Sequence, residues 1–218
     1  MATAPDTTPR RARLPRPARR EQLLGAAREV FVAQGYHAAA MDGIADTAGV
    51  SKPVLYQHFP SKLELYLALL DQHAEAMVAA VQAALGSTPD NKTRVAETIE
   101  AYFRFVDEDD GGFRLVFESD LVNQPDVRER VDGVTLACAD AISAAIRDDA
   151  GLPKDEARLL AVGLVGMAQV TARFWLAEAG TIPRDAAVRL LSQLSWRGLG
   201  GLPLTGEGVA ADAGPQDH

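Results

Sequence analysis

The stretch that decides the fold lies at residues 44–59 and reads IADTAGVSKPVLYQHF. Starting at Met41, apolar residues repeat at i, i+3, i+4 and i+7, which predicts a short helix over about 41–48. Gly49 then predicts a tight turn, and Ser51 predicts the capped start of a third helix. Two short helices joined by a glycine-containing turn are typical of a helix-turn-helix.

The flanking residues extend this unit in both directions. A first helix is predicted over about 19–34, because its apolar residues share one face and Gly35 follows as a stop. Downstream, Phe59-Pro60 ends the third helix, and residues 61–64 (Ser-Lys-Leu-Glu) predict a capping box that opens a long fourth helix. The predicted core of this head consists of Ile44, Ala45, Val50, Leu55 and Phe59.

The rest of the chain is also predicted to be helical. Periodic segments at about 91–107, 113–120, 126–148, 154–179 and 184–199 alternate with Gly-, Pro- and Asn-containing turns. The predicted fold class is therefore all-α, with a three-helix head, a larger body and about nine helices in total. The expected domains are a disordered basic arm (1–18), a helix-turn-helix domain (19–62), a ligand-binding and dimerisation domain (63–202) and a disordered tail (203–218).

Charge and cysteine content narrow the function. Residues 1–62 carry nine Lys/Arg against five Asp/Glu, a balance of +4, whereas the other 156 residues carry 13 against 25, a balance of −12. A positive head on a negative body favours a polyanionic partner at one end. Cys138 is the only cysteine, and the longest uncharged stretch, 159–172, is too short to span a bilayer. We therefore expect a cytoplasmic protein that does not bind a membrane.

The head resembles the DNA-binding domain of the TetR family of regulators. The matching residues are Gly35-Tyr36, Ile44-Ala45, Ala48-Gly49-Val50-Ser51, Leu55-Tyr56-Gln57-His58-Phe59 and Ser61-Lys62. The match extends over about 50 residues with the correct spacing, so the resemblance is specific. One position departs from the family: Ala40 stands where a Ser or Thr usually caps helix two, which removes roughly 1 kcal/mol of capping.

The resemblance implies two sets of DNA contacts. Base edges would be faced by Ser51, Lys52, Pro53, Val54 and Gln57, whereas phosphates would be met by Tyr56, His58, Lys62, Arg19 and Arg20. For Tyr56 and His58 a purely packing role is the alternative, and for Lys52 and Lys62 it is an ordinary solvated charge. In the body, the apolar segments 154–179 and 184–199 would form a four-helix interface in a homodimer, which would read a palindromic operator.

Stretches in both the head and the body more closely resemble acyl-coenzyme A-responsive TetR regulators of fatty acid synthesis. The likeness lies in 35–41, 51–59 with 61–67, 113–118 and 160–167. It implies an apolar tunnel for an acyl chain or fatty acid, whose occupancy tilts helix four and changes operator affinity. The candidate ligand-binding residues are Met77, Val81, Leu85, Ile99, Tyr102, Phe103, Val106, Phe113, Phe117, Val134 and Cys138, with Arg104, Arg114 or Arg128 at the mouth.

Three other interpretations remain open from the residues. A repressor of drug efflux would bind cationic aromatic compounds, with Glu118 or Asp120 beside Phe113 and Phe117. A lipid-binding helical module would have a head that no longer reads DNA. An enzyme is disfavoured, because Cys138 lies in an apolar stripe and the four histidines show no metal-ligand spacing. No cofactor or metal is predicted.

Overall fold

A computed structural model describes residues 14–108, 111, 121, 123–178 and 181–198. These residues contain eight α-helices and no strand, in agreement with the predicted all-α class. The helices are α1 (Arg16–Ala38), α2 (Met41–Thr47), α3 (Lys52–His58), α4 (Lys62–Leu85), α5 (Asn91–Glu108), α6 (Pro125–Ala150), α7 (Lys154–Ala177) and α8 (Arg184–Arg197). The predicted helix at 113–120, most of the basic arm and the tail at 203–218 lie outside the described residues.

The chain divides into two compact units, Met1–Leu69 and Leu70–His218. In the first unit, the predicted face of α1 is buried, as are Ile44, Ala45, Leu55 and Phe59. Val50 differs from the prediction, because it is only half-buried at the edge of the turn, where its N–H donates to the Ala45 carbonyl. The small core therefore joins α1, α2 and α3 without Val50 at its centre.

The ends of α1 differ slightly from the prediction. The helix begins at Arg16, inside the segment expected to be a disordered arm, with Pro15 at the N-cap. Pro17 lies in the first turn, where a missing N–H costs nothing. At the other end Gly35 adopts φ 75 and ψ 164, which interrupts the regular helix where the sequence predicts a stop.

Ser51 does not cap α3 in the way that the sequence predicts. Its backbone is extended as expected for an N-cap residue, but its side chain makes no capping hydrogen bond. Pro53 at the second helical position has no N–H to donate, and the Val54 N–H donates to the Ser51 backbone carbonyl instead. By contrast, the Ser61 hydroxyl accepts from the Glu64 N–H, which is half of the predicted capping box of α4.

In the second unit, α6 and α7 form the most extensive helix pair, and α5 packs against both α7 and α8. Gly151, at φ 66, ends α6 in the left-handed conformation and allows the short turn into α7. Arg184 at the start of α8 pairs with Asp107 at the end of α5, so these two helices run antiparallel. The helices enclose a core around Phe103, which is fully buried and contacts the Trp175 ring.

Candidate DNA-binding surface and effector cavity

The outward face of α3 carries the residues predicted to meet base edges. Ser51, Lys52, Pro53, Tyr56 and Gln57 are exposed, Val54 and His58 are half-buried, and Leu55 and Phe59 are buried. Tyr56 is 46% exposed, as a contact with a DNA phosphate would require. A short helix held by two buried anchors, with five polar or small residues outward, is the geometry that a major-groove reader requires.

The turn between α2 and α3 is held from two sides. Gly49 adopts φ 64, a conformation that a residue with a side chain rarely adopts. The Gln22 side-chain amide donates to the Ala48 carbonyl at 2.7 Å, and Gln22 in turn accepts from Arg19 at 2.7 Å. These contacts tie α1 to the turn and set the direction in which α3 points.

Lys52 is paired with Asp42 across the exposed ends of α3 and α2. The hydrogen bond to Asp42 raises the pKa of Lys52, so the ammonium keeps its charge. Asp42 also lies in the first turn of α2, where Ala40 supplies no side-chain cap, and a negative charge there is favourable to the helix dipole. The pair therefore leaves Lys52 at the start of the recognition helix, from where it could exchange Asp42 for a phosphate or a purine edge.

A cationic cluster joins the start of α1 to the end of α3. Burial lowers the pKa of His58, and the charges of Arg16, Arg20 and Arg19 lower it further. The Arg20 guanidinium lies 4.6 Å from the centre of the Phe59 ring, which fixes its position beside His58. Clustered cations at a helix N-terminus suit phosphate oxygens and give an orientation without reading sequence.

Lys62, predicted to contact phosphate, is used inside the protein. Its ammonium donates to the Tyr36 and Ala39 carbonyls at 2.8 Å each and to the His37 carbonyl at 3.3 Å, and lies 4.5 Å from the centre of the Tyr36 ring. An ammonium has three N–H donors, and all three are satisfied here. In this conformation Lys62 has no donor left for a phosphate and instead locks the end of α1.

A partly open cavity of about 230 Å³ lies within the second unit. Its walls are almost wholly apolar and come from α4 to α8. Of the predicted ligand-binding residues, the cavity brings together Val81, Leu85, Ile99, Tyr102 and Cys138. The lining also includes residues that were not predicted to bind ligand, among them Arg94, Ile142, Ala145, Asp149, Leu191 and Trp196. Apolar helical periodicity marks such residues as core but does not distinguish a cavity wall from a packed interior.

Four predicted ligand residues do not line the cavity. These residues are buried elsewhere in the packed core, because the arrangement of the helices decides which apolar side chains border the cavity. They are Met77, Phe103, Val106 and Val134. Phe113 and Phe117 lie outside the described residues, as do Arg114, Glu118 and Asp120. Of the arginines proposed for the mouth, Arg104 pairs with Glu100 and Arg128 with Asn123, both away from the lining. The arginine that does border the cavity is Arg94, paired with Asp149 at 2.6 Å.

Cys138 is a buried residue of the cavity lining. Burial raises the pKa of its thiol to about 11, so the thiol stays protonated at neutral pH. A thiolate is the nucleophilic form of cysteine, and this residue therefore behaves as a small apolar wall residue.

The exposed faces of α7 and α8 carry a large apolar patch. Leu159 is 74% exposed, and the patch continues through Leu160, Val162, Val170, Phe174, Leu190 and Trp196. By length and composition α7 could cross a bilayer, with only 22% of its apolar window buried inside the chain. The length of the uncharged stretch 159–172 is therefore not enough to exclude a membrane-spanning helix, because charged residues near the helix ends do not shorten its apolar face.

Comparisons with known proteins agree with both units. A family model described as "Bacterial regulatory proteins, tetR family" matches residues 23–69, and one described as "Tetracyclin repressor-like, C-terminal domain" matches residues 91–198. The HTH-type transcriptional activator FasR from Mycolicibacterium smegmatis is 52% identical over 193 residues, 88% of each chain. The HTH-type transcriptional regulator RutR from Escherichia coli is 39% identical over 66 residues, 30% of this chain and 31% of that protein.

Solved structures show the same fold. A TetR-like transcriptional regulator from Rhodococcus sp. RHA1 is 31% identical with a TM-score of 0.68, covering 87% of this chain and 100% of that one. The transcriptional regulator FadR from Bacillus subtilis, solved in complex with stearoyl-CoA, has a TM-score of 0.65 at 20% identity, covering 82% and 98%. The enzyme interpretation is excluded by this membership of a regulator family. From its helix-turn-helix, its helical body and its similarity to a named regulator along most of its length, the chain belongs to the TetR family of DNA-binding transcription regulators.

Proposed function

We propose that this regulator is a cytoplasmic homodimer that binds a palindromic operator with an affinity set by a long-chain acyl-CoA or fatty acid, and that it regulates fatty acid synthesis. The observation that carries the proposal is the apolar cavity in the C-terminal unit. An apolar cavity with a few polar groups at one end is the usual form of a small-molecule site.

An acyl chain fits the chemistry of the cavity. Its walls offer aliphatic side chains along α5 and α6, and the one described carboxylate in the lining, Asp149, is already paired with Arg94. A cationic aromatic drug would need an unpaired acidic group, so the efflux alternative has no support among the described residues. The FadR protein of Bacillus subtilis, which shares the fold, was solved with stearoyl-CoA.

The small size of the cavity suggests how an effector would change the conformation of the protein. At about 230 Å³ it is smaller than the roughly 300–1,000 Å³ of typical ligand sites. A long chain must therefore move the surrounding helices apart, and it binds an expanded conformation better than the one described. A ligand shifts an equilibrium only through such a difference in affinity, for which about 1–3 kcal/mol of coupling is usual.

Helix α4 is the element through which we expect the signal to pass. It is continuous from Lys62 to Leu85, contributes Tyr66 and Leu69 to the first unit, and contributes Val81 and Leu85 to the cavity. We expect expansion of the cavity to displace Val81 and Leu85, and this displacement to pass along α4.

The apolar patch on α7 and α8 supports dimerisation. Large contiguous apolar surfaces mark interfaces in soluble proteins, and two such helices from each subunit would form a four-helix interface. A two-fold dimer presents two copies of α3, which matches a palindromic site.

The experiment is a pair of matched variants on α6. Ala145 lines the cavity, whereas Ala144, its neighbour, is exposed and outside the lining. Operator DNA selected from a random duplex library by the wild-type protein is titrated at fixed salt with and without palmitoyl-CoA, and with CoA alone. We expect palmitoyl-CoA to change the affinity at least fivefold in the wild type and in Ala144→Phe, but not in Ala145→Phe, because the added ring fills the cavity.

Two results would contradict the proposal. If saturating palmitoyl-CoA leaves operator affinity unchanged in the wild type, an acyl-CoA is not the effector. If no duplex is enriched, and if DNA binding does not weaken steeply with salt, the chain would instead be the lipid-binding module that lacks specific DNA binding.

A further inference from the structure

The cavity contains a buried polar atom that has no partner among the described residues. Tyr102 is 5% exposed and lines the cavity, yet its hydroxyl makes no hydrogen bond. Burial raises the pKa of this phenol, so the hydroxyl keeps its proton and remains a donor. An unsatisfied buried hydroxyl costs free energy, and a phenylalanine at this position would avoid the cost. The hydroxyl is thus a group that a ligand could satisfy.

The cavity has one exposed end and one buried end. Because α5 and α8 run antiparallel, Trp196 near the end of α8 lies beside the start of α5, where Arg94 is placed. Asp149 at the end of α6 pairs with Arg94 at the same place. Asp149 and Trp196 are exposed at this end and Arg94 is half-buried, so we infer that this polar end is the entrance. The opposite end is lined by the buried side chains of Tyr102, Cys138, Val165 and Ala168.

Helix geometry separates the backbones of Tyr102 and Arg94 along α5. Tyr102 follows Arg94 by eight positions on α5, which is roughly 12 Å at a rise of 1.5 Å per residue. A coenzyme A group is too large and too polar for the cavity and must remain at the entrance. Tyr102 therefore faces the hydrocarbon chain of an acyl-CoA and not its thioester.

The buried end favours a neutral oxygen over a charged one. The described charged side chains of the lining, Arg94 and Asp149, are at the entrance and paired with each other. Arg173 acts on Tyr102 only as a minor electrostatic influence, and it is exposed and outside the lining. A carboxylate placed beside Tyr102 would lose its hydration without gaining a counterion in the lining.

We propose that the Tyr102 hydroxyl donates a hydrogen bond to a neutral oxygen carried on the hydrocarbon chain of the effector, a hydroxyl or keto group roughly 12 Å from the entrance. The regulator then prefers an oxygenated acyl chain to a saturated chain of the same length. This inference rests on the proposed acyl effector and specifies the substituent that its site selects.

The test uses the full-length protein with palmitoyl-CoA and with a series of hydroxypalmitoyl-CoA isomers in which the hydroxyl moves along the chain. Isothermal titration calorimetry at fixed salt gives each dissociation constant. We expect one isomer, or two adjacent ones, to bind the wild type about three- to tenfold more tightly than palmitoyl-CoA, as one recovered hydrogen bond allows. Tyr102→Phe should abolish this preference and bind palmitoyl-CoA at least as tightly as the wild type.

Tyr66→Phe is the matched control, because it removes a phenolic hydroxyl from a buried residue outside the cavity lining. It should keep the isomer preference. A flat isomer series in the wild type overturns the inference, even if Tyr102→Phe does not fold, and leaves the acyl-CoA proposal intact. A Tyr102→Phe variant that weakens palmitoyl-CoA as much as every isomer also overturns it, because the hydroxyl would then contact the thioester. Failure of palmitoyl-CoA and every isomer to bind the wild type overturns the proposed function itself.

Discussion

Replacing Lys62 with methionine is expected to destabilise the N-terminal unit without removing a DNA phosphate contact. The Lys62 ammonium donates to the carbonyls of Tyr36, His37 and Ala39 at the end of α1. Methionine keeps much of the apolar stem but removes all three donors. The effects of the variant therefore distinguish a structural role of Lys62 at the end of α1 from the phosphate contact that the family resemblance implies.

The magnitude follows from the geometry of the three bonds. A hydrogen bond to a charged group contributes about 1.5–3 kcal/mol, but solvent screening reduces the value for a half-buried ammonium. The bonds to Tyr36 and Ala39, at 2.8 Å each, are partly buried, whereas the bond to His37 is longer and exposed. Adding about 0.3–1 kcal/mol for a cation at a helix C-terminus, we expect Lys62→Met to lose about 2–3 kcal/mol of unfolding free energy.

Two measurements together test this reasoning. Urea unfolding gives the change in stability, and operator binding over a range of salt gives the number of phosphate contacts. Each lost contact lowers the slope of log affinity against log salt by about 0.9, or about two units for both subunits of a dimer. Lys62→Met should keep the wild-type slope, whereas Lys52→Met should lower it with little change in stability. A stable Lys62→Met with a reduced slope would refute the structural role of Lys62.

Three further predictions concern other contacts. The pKa of His58 is lowered in the free protein, and an adjacent phosphate would raise it, so we expect DNA binding to take up a proton. Operator affinity measured by fluorescence anisotropy should therefore rise as the pH falls from 8 to 6. His58→Gln should flatten this pH dependence. Gly49→Ala should lower the free energy of unfolding in urea by about 1–2 kcal/mol, because φ at this position is 64. Gly43→Ala, inside α2 with open space at its Cβ, should raise the free energy of unfolding by about 0.5–1 kcal/mol. Equal effects of the two substitutions would contradict the turn geometry. Phe174→Glu, on the exposed face of α7, should convert a dimer to monomers in sedimentation velocity, whereas Val32→Glu on α1 should not; a dimeric Phe174→Glu would place the interface elsewhere.

Much of the DNA-binding head could be predicted from the sequence, because its signals are local. Apolar spacing in 41–48 and the Gly49 turn depend only on neighbouring residues, and both agree with the structure. The Ser61 cap on Glu64 is local in the same sense. The exception is Ser51, because Pro53 has no N–H to donate to its hydroxyl and the Val54 N–H donates to the Ser51 backbone carbonyl.

The cavity could be predicted only in part, because periodicity identifies which face of a helix is buried but not what that face meets. Val81, Ile99 and Cys138 border the space, whereas Met77 and Phe103 have the same apolar pattern and are packed in the core. The difference depends on the positions of several helices at once.

The amino-acid sequence by itself determined the helical class and the helix-turn-helix, since both follow from interactions within a few turns of chain. The DNA-facing residues of α3 were implied by the resemblance to the TetR family. Only the tertiary structure decided that Lys62 locks the end of α1, that Arg94 meets Asp149, and that the Tyr102 hydroxyl is buried beside a cavity. These are contacts between residues distant in sequence. Charge and residue type show what a side chain can bind, but three-dimensional packing decides which partner comes within reach.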